Sequence, residues 1–309
     1  MPVTDSRRSF LRLALAGGTV AASGLALSTA GAAARGSMAM DLGGGVRLLT
    51  AGGNNVLALG TATDGLLMID GGDARQSGGL LREALKATGA RRLHTLFNTH
   101  WHPEQTGLNA RAGKDGARII AHENTRLWLT RRITTDVLPQ GFGPLPRQAQ
   151  PNHGFYTRES FDFAGETLDY GHLGQAHTDG DLYVHLRKAN VLAGGGVVST
   201  GAWPVIDWQT GGWIGGFVGG IDRLLKVADD NTRIVGASGS VITRQALQAQ
   251  REMFFTIFDR LVKLLVKGQG PDEAVAAKPA GEFEAQWGNS DAFVRASFKS
   301  LWGHYAPDA

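Results

Sequence analysis

The chain has 309 residues, 31 basic against 28 acidic, a formal charge of +3 and no cysteine. That length allows one large domain or two small ones with a sizeable core. The small charge excess gives no footing for nucleic acid. The lack of Cys excludes a disulfide framework, a thiolate ligand and a Cys nucleophile, so a transition metal would need His, carboxylate or water.

The first segment, "SRRSFLRLALAGGTVAASGLALSTAGAAA", has a twin arginine (Arg7, Arg8), then Phe10 and Leu11, a modestly apolar Gly/Ala-rich run over about 13–30, and small-residue cleavage choices. It resembles a bacterial twin-arginine export signal. Residues 1–34 are therefore set apart as a signal peptide, with the twin-arginine export machinery as partner and a periplasmic address. The run is short and weakly apolar for a spanning helix, so an uncleaved anchor is the lesser reading, and no membrane association is expected after cleavage.

From residue 35 onward, strands are expected at 46–51, 55–62 and 66–72, divided by Gly and Asn turns. A helix follows at 78–90, a buried strand at 93–97, another at 117–122 and a helix at 123–133. Residues 134–157, rich in Pro, Gly and Gln, read as a long loop. The second half repeats the theme, with strands at 166–173, 181–187 and 190–198 and amphipathic helices at 214–228 and 244–268. No linker divides residues 35–309, which read as one domain of two βα-type halves packed face to face. The sequence leaves the oligomeric state open.

Chemistry concentrates in "LFNTHWHPEQTG", residues 96–107. His100 and His102 stand at i and i+2 just after the strand at 93–97, so both rings can point the same way and reach one ion. A third histidine, His177, lies in "GQAHTDGDLYVHL", also between strand and turn. The remaining histidines read as ordinary polar or core residues; His122 and His172 end strands on the side where a site would lie. "GAWPVIDWQTGGWIGG", residues 201–216, suits either a loop lining an apolar pocket or core packing.

Together these elements resemble the metallo-β-lactamase superfamily. Thr99-His100-Trp101-His102-Pro103-Glu104-Gln105 matches its T-H-x-H-x-D-H motif, His177-Thr178-Asp179-Gly180-Asp181 its H-T-x-G-D, and Ile69-Asp70-Gly71-Gly72 its early I-D-x-G. The resemblance implies an α/β (α+β) domain, a metallo-β-lactamase-like αββα sandwich with C-terminal helices over 35–309. It also implies a first metal site of His100, His102 and His177, with Asp70 bracing the His loop. The family's second site is altered. Glu104 and Gln105 replace its Asp and His, Gly196 its bridging Asp or Cys, and Ser238 its late His.

Three neutral imidazoles suit Zn²⁺ and leave a fourth position open, whereas Gln, Gly and Ser cannot hold a second ion tightly. The expectation is one zinc, with Glu104 read either as general base or as a surface carboxylate with no part in catalysis. The chain then reads as an exported hydrolase of a small ester, lactone, amide or thioester. β-Lactam hydrolysis is disfavoured, because the second ion commonly stabilises the leaving nitrogen. The alternative is a non-catalytic periplasmic binding or accessory protein on the same fold.

Overall fold

Residues 39–305 are described by the computed structural model, and the segment expected to direct export lies outside the described residues. The first sheet opens with Met40–Asp41 (β1), Arg47–Ala51 (β2), Asn54–Thr61 (β3) and Gly65–Ile69 (β4), joined as antiparallel neighbours. It continues in parallel through Leu93–Phe97 (β5) and Arg118–His122 (β6). A separate hairpin, Ile133–Thr135 (β7) with Leu138–Phe142 (β8), precedes His153–Phe155 (β9), which closes the first sheet beside β6. The second sheet runs in chain order through Arg158–Phe163 (β10), Glu166–Gly174 (β11), Asp181–Leu186 (β12), Val191–Gly195 (β13) and Arg233–Gly236 (β14).

Helices cover the outer faces. Ala74–Thr88 (α1), Pro103–Thr106 (α2) and Asn109–Lys114 (α3) accompany the first sheet, and Glu123–Trp128 (α4) follows β6. Ile214–Val227 (α5) crosses from β13 to β14; Arg244–Val266 (α6), Pro271–Ala276 (α7), Glu284–Trp287 (α8) and Asp291–Tyr305 (α9) complete the chain.

Side-chain alternation fixes these layers. Leu57, Leu59, Leu67, Ile69 and Phe97 turn inward and meet Leu168, Tyr170, Leu182 and Val184 of the opposite sheet. Their neighbours Val56, Ala58, Met68 and Leu96 turn outward onto Leu80, Leu81 and Ala84 of α1. The outer face of the second sheet, including Tyr183 and Leu192, packs on Phe217 and Leu224 of α5, Phe254 of α6 and Phe298 of α9. The result is the expected αββα sandwich.

Three local expectations are corrected. The helix expected from residue 78 starts at Ala74, because the Asp73 carboxylate accepts a hydrogen bond from Arg75 N at 2.9 Å and caps it. The helix expected to reach residue 133 ends at Trp128. Leu129 and Ile133 are drawn into a small cluster with Trp101, which turns the chain into the β7–β8 hairpin inside the segment expected to be loop. The strands β10 and β14 and the helices α7–α9 were not legible as separate elements, being short or without clear periodicity. Among the described residues no helix is long and apolar enough to cross a membrane.

Phe97 is fully buried between the sheets, with its ring 5.0 Å from that of Tyr170 in an edge arrangement. Phe97→Ala is expected to destabilise the protein by about 3–5 kcal/mol through lost transfer energy and the cavity left behind. Urea unfolding followed by circular dichroism checks this.

Candidate metal centre

The site is assembled by two loops, each held by a buried carboxylate and a threonine. At the end of β4, Asp70 adopts a left-handed conformation (φ 66°). It accepts hydrogen bonds from Thr99 N at 2.8 Å and Thr99 Oγ1 at 2.9 Å, fixing the turn that carries His100. In the second loop, Asp181 accepts from Thr178 N at 2.8 Å and Thr178 Oγ1 at 2.9 Å, fixing the turn that carries His177. Burial pushes Asp70 up to about 7 and Asp181 up to about 8, and the threonine donors pull the other way. Leu182 N donates to Thr99 O at 2.9 Å and ties the two loops together.

Trp101, between the two histidines, points away from the site; it is fully buried and donates from Nε1 to Thr210 Oγ1 at 3.1 Å. His100 and His102 are thereby left facing His177. One ring nitrogen from each of the three lies within 4.8 Å of the others. Within the set, His102 Nδ1 and His177 Nε2 are 3.0 Å apart. The three rings are nearly perpendicular to one another, with interplanar angles of 83°, 87° and 85°.

Their outer nitrogens are committed. His177 Nδ1 donates to Val205 O at 2.6 Å. His102 Nε2 donates to the buried Asp207 carboxylate at 3.0 Å. His100 Nδ1 lies 3.1 Å from Thr99 Oγ1, whose own proton goes to Asp70, so the imidazole is the donor. Each acceptor assigns its imidazole a tautomer, leaving a lone pair on the inner nitrogen. Two lone pairs 3.0 Å apart repel unless a cation lies between them, so the donor set fits a metal ion. Burial, with the neighbouring histidines, pushes His100 well below the ordinary histidine range and His177 down to about 3, which keeps both neutral as ligands.

Asp207 was missed by sequence reasoning. It lies in the Trp-rich loop 201–216, 105 residues from His102, and no local pattern marks it. The loop docks on His177 itself, Asp207 N donating to His177 O at 3.0 Å. Only Trp203 of its tryptophans reaches the cleft; Trp213 stacks on His304 with ring centroids 3.5 Å apart. Both readings of this loop therefore hold, for different residues.

A cleft of about 360 Å³ opens over the histidines. Glu104, Gln105, Gly196 and Ser238, the four altered positions, all line it. Glu104 is exposed, and its carboxylate is not gathered with the imidazole nitrogens. A Cβ on Gly196 would stand 2.7 Å from Cγ of His177, so the ring occupies the space of a side chain there. His122 and His172 stay apart from the site. They stack on each other at 3.7 Å and bond to the carbonyls of Tyr156 and Asp179 at 3.1 and 3.0 Å.

A four-layer fold with three converging imidazoles at one end of its sheets defines an αββα protein with a histidine triad positioned to hold a metal ion. The profile of the Metallo-beta-lactamase superfamily matches residues 49–238, and the chain belongs to that superfamily. Among solved structures it is similar to a metallo-beta-lactamase from Pontibacter korlensis, with a TM-score of 0.57 at 18% identity over 71% of this chain and 98% of that one. The DIM-1 metallo-beta-lactamase gives a TM-score of 0.56 at 15% identity, over 71% and 97%. The sec-alkylsulfatase Pisa1 from Pseudomonas sp. gives 0.66 at 15% identity over 88% of this chain, which spans 51% of the alkylsulfatase. These likenesses are of fold. No curated protein matches the sequence.

Two outcomes follow from this geometry. Asp207→Ala frees the His102 ring and is expected to weaken metal binding about 10–100-fold, as loss of a carboxylate behind a ligating histidine does; calorimetric titration of the metal-free protein measures it. Gly196→Asp, which restores the residue type of the family's bridging ligand, is expected to displace His177 and weaken the first ion instead of adding a second. A gain of a second tight equivalent in the same titration would overturn that steric argument.

Proposed function

We propose that the protein is a hydrolase with a single zinc ion held by His100, His102 and His177, acting on a small ester, lactone, amide or thioester, and exported to the periplasm by the twin-arginine route. The observation that carries the reading is the set of three inner lone pairs, each fixed by an acceptor behind its ring. A β-lactamase and a sec-alkylsulfatase are both hydrolases by name, which supports hydrolysis as the reaction type. Four altered positions support one ion rather than two.

When bound, zinc supplies Lewis acidity, lowering the pKa of water from about 15.7 towards 7 and polarising a carbonyl. The chain's own residues do the rest. Asp207, Val205 and Thr99 orient the imidazoles. Glu104, exposed and lining the cleft, accepts the proton given up by the attacking water. Trp203, Pro204, Val205, Val137 and Leu138 offer an apolar wall to the rest of the substrate.

Elemental analysis of protein isolated from the periplasm should give one zinc per chain, and zinc titration should saturate near one equivalent. Glu104→Gln should keep that metal content and lower turnover about 10²–10⁴-fold, the range of a lost general base. Normal turnover in Glu104→Gln removes Glu104 from the reaction. If metal-replete protein turns over no ester, lactone, thioester or amide, the accessory-protein reading replaces the hydrolase.

A further inference from the structure

Gln105 is only 3% exposed, yet among the described residues no group hydrogen-bonds its side-chain amide. Its backbone is fully engaged, the carbonyl accepting from Gly71 N at 2.7 Å and Asn98 Nδ2 at 3.2 Å. Buried polar groups left without partners are uncommon in folded proteins. Nor is this amide sealed in the interior. The sealed side-chain atoms without partners, among the described residues, are Thr135 Oγ1, Gln250 Oε1, Gln269 Oε1 and Ser297 Oγ. Gln105 instead lines the cleft beside His100 and His102, so its free donor and acceptor open onto the space where a substrate would lie.

The charge of the lining narrows that substrate further. Among the described residues no Lys or Arg lines the cleft, and Glu104 is the one carboxylate that does. A carboxylate or sulfate would meet Glu104 and no cationic side chain of the lining; the zinc proposed at the histidines would itself attract an anion, so the lining's own preference is read on the metal-free protein. A neutral carbonyl needs only a donor such as the Gln105 amide, with the apolar wall of Trp203 and Val205 opposite in character.

We propose that the Gln105 side-chain amide, standing where the family places a ligand of its second ion, hydrogen-bonds the acyl oxygen of an uncharged ester or amide, and that the side-chain lining apart from the metal favours neutral acyl compounds over anionic ones. This rests on the hydrolase reading for what happens after binding, and adds to it the charge class of the substrate and the residue that reads it.

The test is a binding measurement that needs no turnover. Calorimetry compares 4-nitroacetanilide, a neutral amide, with 4-acetamidobenzoate, similar in shape but anionic, on the mature zinc-loaded protein and on the metal-free protein. The neutral probe should bind, and on the metal-free protein, where no ion draws the carboxylate, the anion should bind at least tenfold more weakly. Gln105→Met, which keeps the side-chain length, should weaken the neutral probe about three- to tenfold, as loss of one hydrogen bond does, with zinc content unchanged. Gln105→Glu serves as the second variant; its carboxylate repels an acyl oxygen and should weaken binding at least as much. No binding of the neutral probe overturns the proposal. So does equal binding of the anion by the metal-free protein, or wild-type affinity in both variants. Neutral binding without hydrolysis of any ester overturns the hydrolase reading alone and leaves the Gln105 subsite standing.

Discussion

The histidine triad depends on one repeated interaction, a buried aspartate that accepts both the backbone N–H and the hydroxyl of a threonine. Asp70 holds Thr99 in this way and Asp181 holds Thr178. Each pair fixes a loop at a strand end, where no sheet hydrogen bonds are left to hold it. The carboxylates are costly to bury, which is why burial raises the pKa of both. What they supply is direction: with Thr99 and Thr178 locked, His100 and His177 cannot turn away from each other. The bond from Leu182 N to Thr99 O then makes the two loops a single unit.

The loop between β13 and α5 completes the centre from the other side. It supplies the carbonyl of Val205 to His177 and the carboxylate of Asp207 to His102. These acceptors settle which nitrogen of each ring carries the proton, and hence which presents a lone pair inward. The same loop contributes Trp203 to the cleft and is backed by aromatic packing, Trp203 stacking on Phe293 of α9 at 4.8 Å. The C-terminal helices thus act on the site through the loop they support.

The positions that differ from the family motif stand in the same geometry. Gly196 leaves room for the His177 ring, and a side chain there would collide with it. Gln105 and Ser238 offer neutral polar groups where the family has imidazoles, and Glu104 is exposed. An amide, a hydroxyl and no side chain at all at three of these positions line the cleft with hydrogen-bonding groups and not with strong ligands.

The sequence by itself determined the layers and marked the three histidines that the fold brings together. Alternation in Asn54–Thr61 and the spacing of His100 and His102 are local patterns, and local backbone geometry turns them into a two-faced strand and a pair of rings on one side. The motif positions of His177, Asp70 and the four altered residues were legible through the family resemblance. Only the tertiary structure decided which residues stand behind the ligands. Asp207 lies 105 residues from His102 in a loop with no ligand pattern, and its role exists only because that loop docks on His177. The fate of the tryptophans was likewise undecidable locally, since Trp203 and Trp213 share one composition but face a cleft and a helix. The Gln105 amide is free because of what the folded chain does not place beside it, and a sequence lists neighbours in the chain, not in space.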